Sequence, residues 1–289
     1  MTQPTTQPCD DEQPAAEMVR WRTVDALRGL VDHYDGYAFA DAPPGTHRGL
    51  PSRYLTVVLT LDTPLTMTAL PDPLQTPGSY DALVGGLHSR PAGIAMGGRN
   101  SGIQLALTPA GARALLGRPA AELGETVLPL SDVLGADAER LLDRLRAASG
   151  WAARFRLLDQ ELASRIVDRP ATVRPEVAWA WDRLLIRRGS TPVTALAAEV
   201  GWSRRHLTAR FEREYGLTPK VTARVLRFES SVDRLRASPH RRLADVAAEC
   251  GYADQAHMTR EWHGLAGCPP STWLAEEFAY VQVGHAEIG

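Results

Sequence analysis

Residues 196–202 read Leu-Ala-Ala-Glu-Val-Gly-Trp, and residues 246–252 read Val-Ala-Ala-Glu-Cys-Gly-Tyr, an offset of 50. Downstream the offset becomes 51: Leu207 matches Met258, Phe211 matches Trp262, and Pro219 matches Pro270, so one extra residue enters the second copy. A chain that repeats itself in this way builds one supersecondary unit twice. Stacked solenoids need about three copies or more to bury a continuous core. Two copies must instead each pack as a small unit of their own.

Each copy reads as two helices joined by a tight turn. In the first, Val193–Val200 places Leu196 and Val200 on one face at i, i+4, and the Ala197-Ala198 pair keeps the helix slim enough for a close crossing. Gly201 stands where the chain must reverse, a position that favours positive φ. Ser203 can cap the next helix, Arg204–Glu214, which turns Leu207 and Phe211 inward. In the second copy Leu243–Cys250 leads to Gly251, and Asp254 caps a helix that buries Met258 and Trp262, with Val246 on the preceding helix. Pro219–Ala237 forms one long connecting helix, and Ala171–Arg188 a supporting one. The bland alternative, a plain amphipathic bundle, explains one such pair but not two in register.

Charge divides along the same line. Residues 171–275 carry 16 basic and 11 acidic side chains, a net +5, whereas residues 1–170 carry 16 basic and 20 acidic, a net −4. A basic module joined to an acidic one is expected where only the basic part meets phosphate. Lys220 is the only lysine. Cysteines 9, 250 and 268 are odd in number and far apart, which argues against a disulfide framework and suits a reducing, cytoplasmic setting. No apolar run reaches the roughly 18 residues a membrane span needs.

The fold class expected is α+β. Residues 1–16 read as a disordered lead and 17–167 as a small β-rich sensor or dimerisation unit, barrel or cupin-like, with flanking helices. Residues 168–175 read as a linker, 176–276 as an all-α unit holding both repeats, and 277–289 as an acidic tail. Within the first unit, Arg53–Leu61, Ala82–Leu87 and Ile103–Leu107 read as short strands, bounded by Pro43-Pro44-Gly45, Pro71–Pro77 and Gly97-Gly98 as turns. Ala136–Ala148 and Trp151–Ile166 carry helical spacing.

The stretch Val193–Trp273 closely resembles the AraC/XylS-type DNA-binding domain. "LAAEVGWSRRHLTARFEREYGLTPK" resembles its first helix-turn-helix, "ARVLRF" its linking helix, and "LADVAAECGYADQAHMTREWHGLAGCPP" its second helix-turn-helix. "HRGLPSRYLTVVLTL" and "GIQLALTPAGARALLG" more faintly resemble the sensor domains found ahead of such modules in actinobacteria. The resemblance implies a bacterial transcription regulator that reads double-stranded DNA with two helices in adjacent major-groove segments. It assigns base contacts to Arg204, Arg205, Thr208 and Ala209 in the first copy, and to Gln255, His257, Thr259 and Arg260 in the second. Ser203, Arg224 and Arg227 are read as phosphate or structural contacts. Leu196, Gly201, Leu207, Phe211, Val246, Gly251, Met258 and Trp262 are assigned to the helix-turn-helix cores. The partners implied are DNA, a small-molecule effector on the first unit, a second copy of the chain, and RNA polymerase for an activator. Thr222 departs from the family, which carries an aromatic there, so the linking helix is expected to pack more loosely.

An enzyme would have to be built in the first unit. Histidines 33, 47 and 88 lack an H-x-H pair or a nearby Glu to complete a metal set, and Ser101 lacks a G-x-S-x-G elbow. No catalytic residue, metal or cofactor is assigned.

Overall fold

The computed structural model describes residues 16–166, 173–281 and 285–287. The expected disordered lead, save Ala16, and most of the expected linker lie outside the described residues. The first unit is built on a sheet of β8 (Val127–Pro129), β6 (Ala82–Gly85), β3 (Leu55–Thr60), β7 (Ala92–Leu107), β2 (Val31–Gly49), β1 (Ala16–Trp21) and β9 (His285–Glu287), in that order, with β4 (Leu65–Ala69) joining β7 and β5 (Ser79–Tyr80) joining β4. Its backbone is the long antiparallel ladder between β2 (Val31–Gly49) and β7 (Ala92–Leu107), running from the pair Val31↔Leu107 to Gly49↔Ala92. β1 (Ala16–Trp21) flanks β2, and β3 (Leu55–Thr60) flanks β7. β4 (Leu65–Ala69), β5 (Ser79–Tyr80), β6 (Ala82–Gly85) and β8 (Val127–Pro129) complete this part.

Two expected turns are corrected here. Pro43-Pro44-Gly45 and Gly97-Gly98 do not end strands; both lie within the long ladder, where its register shifts between Phe39, Ala42 and Gly45. Prolines withhold two ladder N–H groups, and Gly97 and Gly98 take positive φ, so the same residues that could close a turn instead make bulges.

Helices α1 (Pro109–Leu116), α2 (Ser131–Leu134), α3 (Ala136–Ala147) and α4 (Trp151–Arg165) pack on the sheet. α1 has a complete set of end signals. Thr108 Oγ1 accepts from the Gly111 N–H, Pro109 opens the first turn, and Gly117 closes the last in the left-handed region. Among the described residues seven further helices follow: α5 (Pro175–Ile186), α6 (Val193–Glu199), α7 (Arg204–Tyr215), α8 (Pro219–Ala237), α9 (Leu243–Glu249), α10 (Gln255–Ala266) and α11 (Pro270–Val281). α11 runs past residue 276, and β9 (His285–Glu287) returns to pair in parallel with β1, so described parts of the segment read as an acidic tail have regular structure.

The apolar core does not stop at the segment read as a linker. One continuous cluster runs from Val19, Tyr34 and Ile103 through Phe155 and Leu158 to Trp181, Leu196, Leu207, Phe211 and Leu226. It therefore joins the sheet, the helices on it and the first repeat. A second cluster, with Val225, Phe228, Val246, Met258, Trp262 and Trp273, belongs to the second repeat, and Leu50 of the first unit packs on its edge. Thr222 is buried, and among the described residues its hydroxyl finds no partner.

Candidate nucleic-acid interface

The two repeats share one backbone frame. After α6 the Gly201 N–H donates to Ala198 O at 3.1 Å and the Trp202 N–H to Ala197 O at 2.9 Å. After α9 the Gly251 N–H donates to Ala248 O at 3.2 Å and the Tyr252 N–H to Ala247 O at 2.9 Å. Gly201 and Gly251 take φ of +71° and +74°, the left-handed turn this double closure requires. Ser203 Oγ then accepts from the His206 N–H at 3.2 Å, and Asp254 Oδ1 from the His257 N–H at 2.6 Å. Both caps satisfy an N–H that the first helical turn leaves free. The second helices end alike, on Gly216 and Gly267 in the left-handed region.

Inside these frames Leu196, Leu207 and Phe211, and Val246, Met258 and Trp262, are fully buried. Phe211 lies against Trp181 and Tyr215, with centroids 5.9 and 4.6 Å away. Trp262 packs on Phe228 and Trp273, and its indole N–H donates to Ser231 Oγ at 2.9 Å. On the outer faces Arg204, Arg205 and Ala209 of α7 are exposed and Thr208 is half-buried. On α10, Gln255 and Arg260 are exposed, while His257 and Thr259 are half-buried. Among the described residues, no acidic side chain pairs with Arg204, Arg205 or Arg260. Thr259 Oγ1 donates back to Gln255 O at 2.9 Å, so its hydroxyl hydrogen is already committed within the helix.

The arginines of α8 have internal duties. Arg224 Nε pairs with Glu261 of α10 at 2.6 Å. Arg227 Nη1 donates to Gly189 O at 2.9 Å, ahead of α6, while its stem lies beside Gly251. Gly189 itself takes φ +72°, and a Cβ there would fall 2.1 Å from Ala223 O, so only glycine lets α8 pass this closely. Arg224 and Arg227 thus brace both repeats against the long helix.

Residues 183–276 match the helix-turn-helix domain family. This segment is an AraC-type helix-turn-helix domain. The AraC-type domain occupies about a third of the chain, but the likeness to solved structures runs further. Apo ToxT of Vibrio cholerae, solved as a single-site variant, is 10% identical, covers 84% of this chain and 97% of its own, and gives a TM-score of 0.50. ToxT of the same species with bound unsaturated fatty acid is 11% identical over 90% of this chain and 94% of its own, with a TM-score of 0.43. The DNA-binding domain of AdpA, a global transcriptional factor, was solved with a target DNA. It is 23% identical over 38% of this chain and 98% of its own, at a TM-score of 0.34. No protein of curated function matches by sequence.

The contacts that hold this AraC-type domain to the first unit leave no local signature in the residue pattern. Arg48 of β2 pairs with Glu276 of α11 at 2.6 Å and donates to Ala266 O at the end of α10. His47 pairs with Glu277 at 2.8 Å, Arg53 with Glu229 of α8 at 2.8 Å, and Arg113 of α1 with Glu214 of α7 at 2.6 Å. Residues as far apart as 48 and 276 carry no periodic signal that they meet. Histidines 33, 47 and 88 do not converge: His33 bonds Asp32 and Asp35, His47 bonds Glu277, and His88 bonds Arg90 O. Among the described residues no group of three His, Cys, Asp or Glu side chains is placed to hold a metal, and no helix is long and apolar enough to cross a membrane.

Proposed function

We propose that this chain is a sequence-specific DNA-binding regulator of transcription. The observation that carries the reading is the duplicated frame. Two helices of twelve residues, α7 and α10, are capped and closed by the same hydrogen bonds, and each turns arginine outward. An α-helix fits the major groove, and arginine matches guanine O6 and N7 while glutamine matches adenine N6 and N7. Arg204, Arg205, Thr208 and Ala209 then meet bases in one segment, and Gln255, His257, Thr259 and Arg260 in the next. Ser203, Arg224 and Arg227 are read as phosphate contacts, the last two through nitrogens left over from their internal bonds. The test is selection of duplexes by the full chain from a random pool, followed by binding at two salt concentrations. A preferred sequence with two motifs about one helical turn apart supports the reading, and binding indifferent to sequence refutes it.

The first unit is read as the sensor. An apolar cavity of about 20 Å³ lies between sheet and helices, lined by Val57, Leu59, Leu105, Leu115, Leu141 and Leu158 among others. That volume holds about one water, and its walls are apolar, so an effector there must be apolar or amphipathic and must open the space it fills. The ToxT structure with bound fatty acid supports ligands of this class as the first to titrate. DNA binding that does not respond to any of them, together with a chain monomeric at micromolar concentration, would leave the first unit neither sensor nor dimeriser. Contact with RNA polymerase belongs to this reading only for an activator.

A further inference from the structure

The single residue that breaks the repeat falls at the start of the second recognition helix. The first copy passes from Trp202 to its cap Ser203 directly, whereas the second places Ala253 between Tyr252 and its cap Asp254. Both copies carry histidine as the third helical residue, His206 and His257. Both rings stand edge-on to the turn aromatic, at 4.6 Å and 88° for Trp202–His206 and at 5.5 Å and 87° for Tyr252–His257. The extra residue makes the difference. The Ala253 N–H donates to His257 Nδ1 at 3.2 Å. Among the described residues, no hydrogen bond holds the His206 ring.

A backbone N–H can only donate, so His257 Nδ1 must present its lone pair. A neutral imidazole with Nδ1 accepting carries its proton on Nε2. Nε2 lies across the ring from Nδ1 and therefore faces away from the turn. We propose that His257 is a pre-set Nε2–H donor for a hydrogen-bond acceptor on DNA, and that Ala253 is the residue that sets it. The acceptor is a phosphate oxygen or a base-edge acceptor such as purine N7. This step rests on the reading that α10 enters the major groove. It predicts an asymmetric reader, with a fixed donor in the second segment and a histidine free to rotate in the first.

Asparagine and glutamine separate the two ring nitrogens. In His257→Asn the side-chain oxygen stands near the Nδ1 position and keeps the bond from Ala253, but the Nε2 donor is gone. In His257→Gln the amide reaches the Nε2 position and keeps a donor, but the lock is lost. Full-length variants are compared with wild type on a duplex selected by the wild-type chain and on a scrambled one. His257→Asn should keep the melting temperature and lose about fivefold to tenfold in affinity, the size of one neutral hydrogen bond. His257→Gln should lose less, and His206→Asn should stay within about twofold. Equal loss on both duplexes assigns the acceptor to phosphate, and loss confined to the selected duplex assigns it to a base. His257→Asn that binds as tightly as wild type, or that loses affinity only in step with its melting temperature, overturns the proposal alone. A wild-type chain that selects no duplex overturns it together with the DNA-binding reading.

Discussion

Phe211→Ala tests whether the first unit and the first repeat share a core. Phe211 is fully buried in the cluster that begins at Val19 and ends at Leu226. Truncating a buried phenylalanine costs about 3–5 kcal/mol. Losing its contacts with Trp181 and Tyr215 adds about 1 kcal/mol, giving about 4–6 kcal/mol. The entropy of unfolding scales with the number of residues that unfold together. For all 289 residues it is about 0.6 kcal/mol per kelvin, so the midpoint should fall by about 7–10 °C. If about 110 residues of the DNA-binding part unfold alone, the same loss would lower their midpoint by about 20 °C and leave the first unit's midpoint in place. Scanning calorimetry with near-ultraviolet circular dichroism distinguishes these outcomes. A single transition displaced as a whole is expected. Two transitions, only one of them displaced, would refute the shared core.

Arg205→Ala should leave the melting temperature unchanged, because the side chain is exposed and touches no acidic partner, yet cost about 1–3 kcal/mol of binding to the preferred duplex. Equal loss on scrambled DNA, measured by binding isotherms, would take Arg205 out of base reading. Arg53→Ala strands the more deeply buried Glu229, whose carboxyl burial already pushes up against the opposing pull of Arg53. Stability should fall by about 2–4 kcal/mol near pH 8, and less near pH 5 where Glu229 can take up a proton; denaturant titrations showing no pH dependence of this loss would exclude the mechanism. Burial lowers the His33 pKa, but hydrogen bonds to Asp32 and Asp35 and the charge of Asp35 outweigh it and the repulsion of Arg20, lifting it to about 9. A raised pKa stabilises below the unfolded value near 6.5 and loses that contribution as pH rises through 9. Wild type should therefore lose about 1–3 kcal/mol more than His33→Gln between pH 6.5 and 9.5, and parallel curves in urea would contradict it.

The repeat was readable because its chemistry is local. A glycine at a left-handed turn, a Ser or Asp at a cap and apolar residues three and four apart state their conformations within a dozen residues. α8 matches its expected span, Pro219–Ala237, residue for residue, since proline opens it and a continuous apolar stripe runs its length. The sheet was less legible. Short runs such as Ile103–Leu107 gave the buried end of β7, but the half of β7 beyond Gly98 pairs with β2 through bulges that alternation does not predict. Least legible were the contacts between units. Arg48, Arg53 and Arg113 look like ordinary exposed arginines in sequence, and only the fold brings them to Glu276, Glu229 and Glu214. The extra Ala253 was visible as a break in register, but its bond to His257 was not.

The grip of the first unit on both repeats bears on how far apart two DNA motifs can lie. α8, at nineteen residues about 28 Å long, spaces the repeats, and Arg113, Arg53 and Arg48 anchor α7, α8 and α11 to one scaffold. Each base pair added between two motifs turns the second by about 34–36° around the duplex axis. A flexible pair of readers could follow that rotation. Here following it means parting ion pairs and shearing a core continuous with the sheet. On the proposed reading, the scaffold fixes the helical phase of the operator, and an insertion of one base pair should harm binding more than a change of one base within either motif.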